Sequence, residues 1–169
     1  LVSPLFQISI SPEANISKLH VFDPCFTSGC SLSHEPFANE GRLTYLREVI
    51  DQKTFLMANS ASVFGNSGGG LFHGESLELL GLTSLVTTLQ LGFGVDVMTW
   101  MQFSTHPERL YEFFREQELH FLFDPADNFY LSLDRRTKRQ KDALRTMILD
   151  VSDKDRAKTA PVKEDEYGV

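Results

Sequence analysis

Hydrophobic and polar positions change rhythm several times along this chain, and each rhythm predicts a different element. His20 falls in an apolar alternation with Val21 and Phe22, the period of a half-buried strand, and Asp51-Gln52-Lys53 reads as a turn. Beyond the glycines at 68–70, Leu71 to Ser76 and the apolar run Leu77 to Leu85 read as a hairpin. Thr105-His106-Pro107-Glu108 has the spacing of a capping box with proline in the first turn. Leu110, Phe113 and Phe114 then recur at three and four residues, which predicts an amphipathic helix covering a core. The β-prone runs His120–Phe123 and Phe129–Leu133 flank Asp124–Asn128 and predict a second hairpin. Asp134 to Val151 follows with Ala143, Leu144, Met147, Ile148 and Val151 at near-helical spacing, an amphipathic helix. Ser152 to Val169 is charged and almost free of large apolar residues, the composition of a disordered tail.

Chemistry concentrates in Gly65-Asn66-Ser67-Gly68-Gly69-Gly70. Glycine on both sides of Ser67 lets the chain take a tight, positive-φ turn, so that the amides of Gly65 and Ser67 can point together at the oxygen of an attacked carbonyl. The string also fits the Gly-x-Ser-x-Gly elbow of α/β-hydrolases, which needs a helix after the serine. Three glycines in a first helical turn cost roughly 1 kcal/mol each relative to alanine, and a hairpin follows instead, so the elbow is disfavoured.

The motif resembles the nucleophile segment of the trypsin-like serine proteases, and in its Gly-Asn-Ser-Gly-Gly form that of the HtrA/Deg branch. The flanks extend the resemblance. Thr54–Ala58 looks like the strand that enters the motif, Leu80–Ser84 like the strand that follows, and Leu91–Val97 like the last strand. His20–Pro24 and the polar loop to Gly41 stand where the family has a strand and a glycine-containing loop, before Arg42 to Ile50. The resemblance implies a mainly β fold: the C-terminal six-stranded barrel of a two-barrel peptidase with its covering helix over 1–118. A hairpin and basic helix over 119–151 and a tail over 152–169 lie outside it.

In that family the histidine and aspartate precede the serine in the chain and come from the first barrel. Only 66 residues precede Ser67, room for roughly four strands of one barrel. The expectation is therefore a partial chain, opening abruptly on the apolar run Leu1 to Ile10, whose missing N-terminal barrel carries the His and Asp. His20, Asp51 and Ser67 have the protease order, but His20 reads as a strand residue, Asp51 as a turn residue, and His34 as a loop residue; no base is assigned within the chain. The resemblance also places a specificity pocket. Its base falls at Ala61 and Ser62, and Ser84, Leu85 and Val86 form the strand that binds an extended polypeptide substrate. Neither base residue is charged and Val86 narrows the mouth, which implies a small or medium apolar residue at the cleavage position. Asn66 cannot offer the carboxylate that receives a released N-terminal amine, so activation by N-terminal cleavage is disfavoured.

Composition narrows the remaining choices. At 41% hydrophobic and 23% charged residues the chain can bury one good core. A net charge of −7 argues against a general nucleic-acid binder, and no apolar run is long enough for a membrane span. Arg135, Arg136, Lys138, Arg139, Lys141 and Arg145 crowd one helix face, either a solvated surface or a site for an acidic partner. Cys25 and Cys30 lack the second ligand pair of a zinc site and read as free thiols or a small loop disulfide. No metal or organic cofactor is implied. The function expected is that of a serine endopeptidase, with a non-catalytic, protease-like interaction module as the alternative.

Overall fold

The computed structural model describes residues 8–159, with side chains to residue 150. The chain divides into two compact units between Glu116 and Gln117. The first holds six antiparallel strands: β1 (Pro24–Gly29), β2 (Phe37–Ile50), β3 (Lys53–Ala58), β4 (Gly70–His73), β5 (Leu79–Leu91) and β6 (Gly94–Thr105). They close into a barrel in the order β1-β2-β3-β6-β5-β4. Closure removes the sheet's edges and turns alternate side chains inward. Cys25, Leu43, Leu56, Ala58, Leu71 and Leu80 form the buried core, one or two residues from each of five strands. β2 and β3 are joined through Asp51 and Gln52, both at positive φ (48° and 62°), as a tight two-residue hairpin demands.

Among the described residues the α-helices of this unit are α1 (Glu13–Ile16) and α2 (Pro107–Glu116). Pro107 opens α2 as the sequence predicts, but the cap differs: the backbone N–H of Glu108 donates to Nδ1 of the buried His106 (3.3 Å), and Thr105 ends β6. The buried face also shifts. Leu110 and Tyr111 are buried while Phe113 is exposed, because the Tyr111 hydroxyl reaches inward to donate to the carbonyl of Ser11 (2.8 Å).

Other expectations need correction. His20–Asp23 is an exposed turn and the strand begins at Pro24; the Asp23 carboxylate accepts from the His20 N–H (2.7 Å), a local turn bond that overrides the apolar alternation. Leu91–Val97 is the tip of the β5–β6 hairpin, with Gly92 at φ 59°, and the last strand runs on to Thr105. Among the described residues three strands precede Ser67, and β2 alone takes Phe37–Ile50. Cys25 and Cys30 are free thiols at the two ends of the extended β1, one buried and one exposed.

In the second unit the predicted hairpin is absent. His120–Leu122 is a turn of 3-10 helix, and α3 runs from Phe129 to Thr159, taking in the second supposed strand and the first part of the supposed tail. Asn128 explains the start: its Oδ1 accepts from the N–H groups of Tyr130 (3.0 Å) and Leu131 (3.1 Å), an N-cap that commits Phe129–Leu133 to helix. Arg135 braces the same turn by ion pairs to Glu118 and Asp127. The sequence from Ser152 to Thr159 has no glycine or proline to interrupt the helix. The remainder of the expected tail, 160–169, and the opening apolar run as far as residue 7 lie outside the described residues. Among the described residues no helix is long and apolar enough to cross a membrane.

Candidate functional site

Ser67 lies exposed in the loop between β3 and β4. Backbone hydrogen bonds to β5 and to β6 tie that loop to the barrel. Gly68 N–H donates to the carbonyl of Thr83 and Thr83 N–H to that of Gly69, 2.8 Å each, so the residue after Ser67 is paired with β5 immediately before Ser84. On the other side Ser62 N–H donates to the carbonyl of Thr99 on β6 (2.9 Å). Inside the loop, Asn66 N–H bonds the carbonyl of Val63 (3.2 Å) and Gly69 N–H that of Asn66 (3.0 Å), two consecutive tight turns.

These bonds occupy the amides of Asn66, Gly68 and Gly69; among the described residues those of Gly65 and Ser67 have no partner. The carbonyl of Phe64 accepts from Leu32 N–H (3.0 Å). In a trans peptide the C=O and N–H point in opposite directions, so this bond turns the Gly65 N–H away from the Leu32 loop. Gly65 sits at φ 93°, and a Cβ there would lie 2.8 Å from the Leu32 nitrogen. No other residue fits both the backbone angle and the space.

The loop is held from beneath by uncharged polar groups. Asn66 is buried and its Nδ2 donates to the hydroxyl of buried Ser62 (3.2 Å). Gln102, fully buried on β6, donates its Nε2 to both Thr27 Oγ1 and Ser60 Oγ (2.5 Å each), and those two hydroxyls bond each other (2.6 Å). Cys25 adjoins this network through Ser60, and burial pushes its thiol up to about 11, so it is not a thiolate near neutral pH. Gln102, Thr27 and Ser60 carry no local signal in the sequence. They meet only because barrel closure brings β1, β6 and the start of the loop after β3 to one interior.

Of the expected pocket residues, Ala61 is exposed, its carbonyl accepting from Asn39 Nδ2 (2.9 Å), and Ser62 is buried. Ser84 and Leu85 are exposed at an irregularity in the β5–β6 register, and Val86 is half-buried opposite Gln102. A hollow of about 750 Å³ lies at Pro24–Phe26, Gly41, Arg42 and Asn59; Asn59 is at the start of the loop that carries Ser67, and Ser67 itself does not line it.

No described histidine is hydrogen-bonded to Ser67. His20 lies in its turn; His34 is exposed beyond the short helix Ser31–Ser33. His73 contacts the Ser76 hydroxyl through Nδ1 (3.2 Å) and stands 4.0 Å from Asp23. His106 caps α2, and His120 lies near Glu118 (3.7 Å). Asp51 is spent on the β2–β3 turn.

No family model matches the sequence, and no curated protein does. Solved structures do match by fold. The S227A variant of the HtrA-type protease AlgW with a decapeptide superposes with a TM-score of 0.56 at 15% identity over 70% of this chain and 35% of that one. AlgW with a decapeptide gives 0.55 at 16% identity over 69% and 34%. The chain thus spans about a third of the length of these proteins, and over most of its own length it shares the fold of an HtrA-type protease: a closed six-stranded antiparallel barrel followed by helices.

Proposed function

We propose that this chain is the C-terminal, nucleophile-bearing barrel of a trypsin-like serine endopeptidase, acting with a first barrel that supplies the histidine and aspartate. The observation that carries this reading is that the amides of Gly65 and Ser67 have no partner among the described residues, at an exposed serine, while those of Asn66, Gly68 and Gly69 between and after them are engaged. Ser67 Oγ attacks the peptide carbonyl while the partner's histidine takes its proton. Carbonyl oxygen charge develops against the two amides, which stabilise it. Asn66 and Ser62 hold the turn from beneath, and the substrate lies along Ser84–Val86.

Donor groups of this kind are each worth roughly two to three orders of magnitude in rate, and a serine without a base is a poor nucleophile. In the assembled protein, Ser67→Ala should lower cleavage of a peptide substrate by several orders of magnitude with an unchanged circular dichroism spectrum. Cleavage that survives the substitution would contradict the assignment. A non-catalytic interaction module is the second reading, favoured by the absence of any histidine bonded to Ser67 among the described residues. It predicts that the assembled protein does not cleave at all.

A further inference from the structure

From Lys138 to Asp150 every residue of α3 is exposed. The helix has 31 residues, about 46 Å at ~1.5 Å per residue, and helices in water draw most of their stability from packing an apolar face. α3 has such a face. Leu144, Met147 and Ile148 recur at three and four residues and Val151 continues them; the first three are 59%, 66% and 67% exposed. Charge is divided about this stripe. Arg135, Arg136, Lys138, Lys141 and Arg145 crowd its N-terminal side, whereas Asp150, Asp153 and Asp155 fall at its C-terminal end. Lys141, Ile148 and Asp155 stand seven residues apart, so the three positions share one flank of the stripe.

We propose that the stripe is covered by the same stripe of a second copy of this chain, the two helices running antiparallel and crossing at Ile148. Charge selects both the occupant and its direction. Crossing at Ile148 lays Lys141 of each copy against Asp155 of the other, so opposite charges flank the apolar centre at both ends. In a parallel pair Lys141 meets Arg136 and Asp155 meets Asp150, like against like. An acidic helix from another protein suits the cations before Leu144 but opposes the aspartates after Leu149. Those aspartates, with Asp142, also oppose an anionic membrane surface. A second copy carries both signs in the order that reversal requires.

Sedimentation equilibrium of the 169-residue chain across a range of concentrations tests this. The mass should climb from that of one chain to that of two, and the amides from Leu144 to Val151 should gain hydrogen-exchange protection over the same range. The double variant Leu144→Glu/Ile148→Glu should weaken association about tenfold or more, although glutamate is itself a good helix former. Lys141→Glu and Asp155→Lys should each weaken it several-fold, and an equal mixture of those two variants should recover most of the parent's association, which shows that neither has lost its fold. Ser67→Ala should associate like the parent. A chain that stays single at every concentration, or association indifferent to the glutamates in the stripe, overturns the proposal. So does stronger association of Lys141→Glu alone, the outcome of parallel pairing. Protection of Leu144–Val151 at the mass of one chain places the cover within the same molecule, and protection only with vesicles of anionic lipid places it on a membrane; either result overturns the proposal as well.

Discussion

Asn66 and Ser62 hold the Ser67 loop through a bond between neutral groups, and the groups beneath it, Ser60, Thr27 and Gln102, are neutral as well. A lysine or arginine side chain entering beside them would find no carboxylate, and stranding a buried charge costs several kcal/mol. A valine, alanine or leucine gains roughly 1–3 kcal/mol from the same burial. The assembled enzyme should therefore cleave after small or medium aliphatic residues, and Val86→Gly should broaden the profile toward larger ones. A peptide-library profile dominated by arginine or lysine would contradict the placing of Ala61, Ser62 and Val86. His106 yields a separate test by pH. Burial is the main cause that lowers its pKa; Glu108 pulls it up and Arg47 adds to the lowering. The unfolded chain thus takes up the proton first, and stability falls as pH drops below about 6.5. Protonation also removes the Nδ1 acceptor that caps α2. His106→Asn keeps an acceptor but cannot titrate, so between pH 7 and pH 5 its Tm should fall less than that of the parent. Equal falls would show that His106 does not carry the effect.

Elements fixed by local chemistry are legible in the sequence, and those fixed by competition between local signals are not. The helix start at Pro107, the strand over Thr54–Ala58 and the hairpin after the glycines each follow from a few adjacent residues, and the structure has them. Phe129–Leu133 has equal β and helix character by composition. Asn128, read as a turn residue, decides the matter as an N-cap. Asn128→Ala should therefore cost about 1 kcal/mol and fray the first turn of α3, lowering amide protection from Tyr130 to Arg135. Protection unchanged in that variant would transfer the role to the Arg135 ion pairs. At the candidate site the split is similar. The glycine-framed serine announces itself, because backbone angle and residue type are coupled one to one there. The buried Gln102–Ser60–Thr27 network leaves no local trace, and the true extent of β5 and β6 was hidden because Leu91–Val97 reads equally well as strand or as hairpin tip.

At the scale of the molecule, the chain is one closed barrel with helices after it, spanning about a third of the HtrA-type proteins whose fold it shares. On the proposed reading the barrel supplies the serine, the oxyanion amides and the substrate strand, and proton transfer comes from outside it. The chain by itself should then show no peptidase turnover, since the loss of triad partners costs orders of magnitude. The most direct measurement is covalent labelling by a fluorophosphonate, read by peptide mass mapping, on the 169-residue chain and on the protein completed by a histidine- and aspartate-bearing barrel. Labelling of Ser67 in the completed protein, with none elsewhere in these residues and far slower labelling of the chain alone, is the predicted result. Equal labelling of the chain alone would place a base among its own residues, and a folded, completed protein that resists the probe would contradict the assignment of Ser67 as a nucleophile.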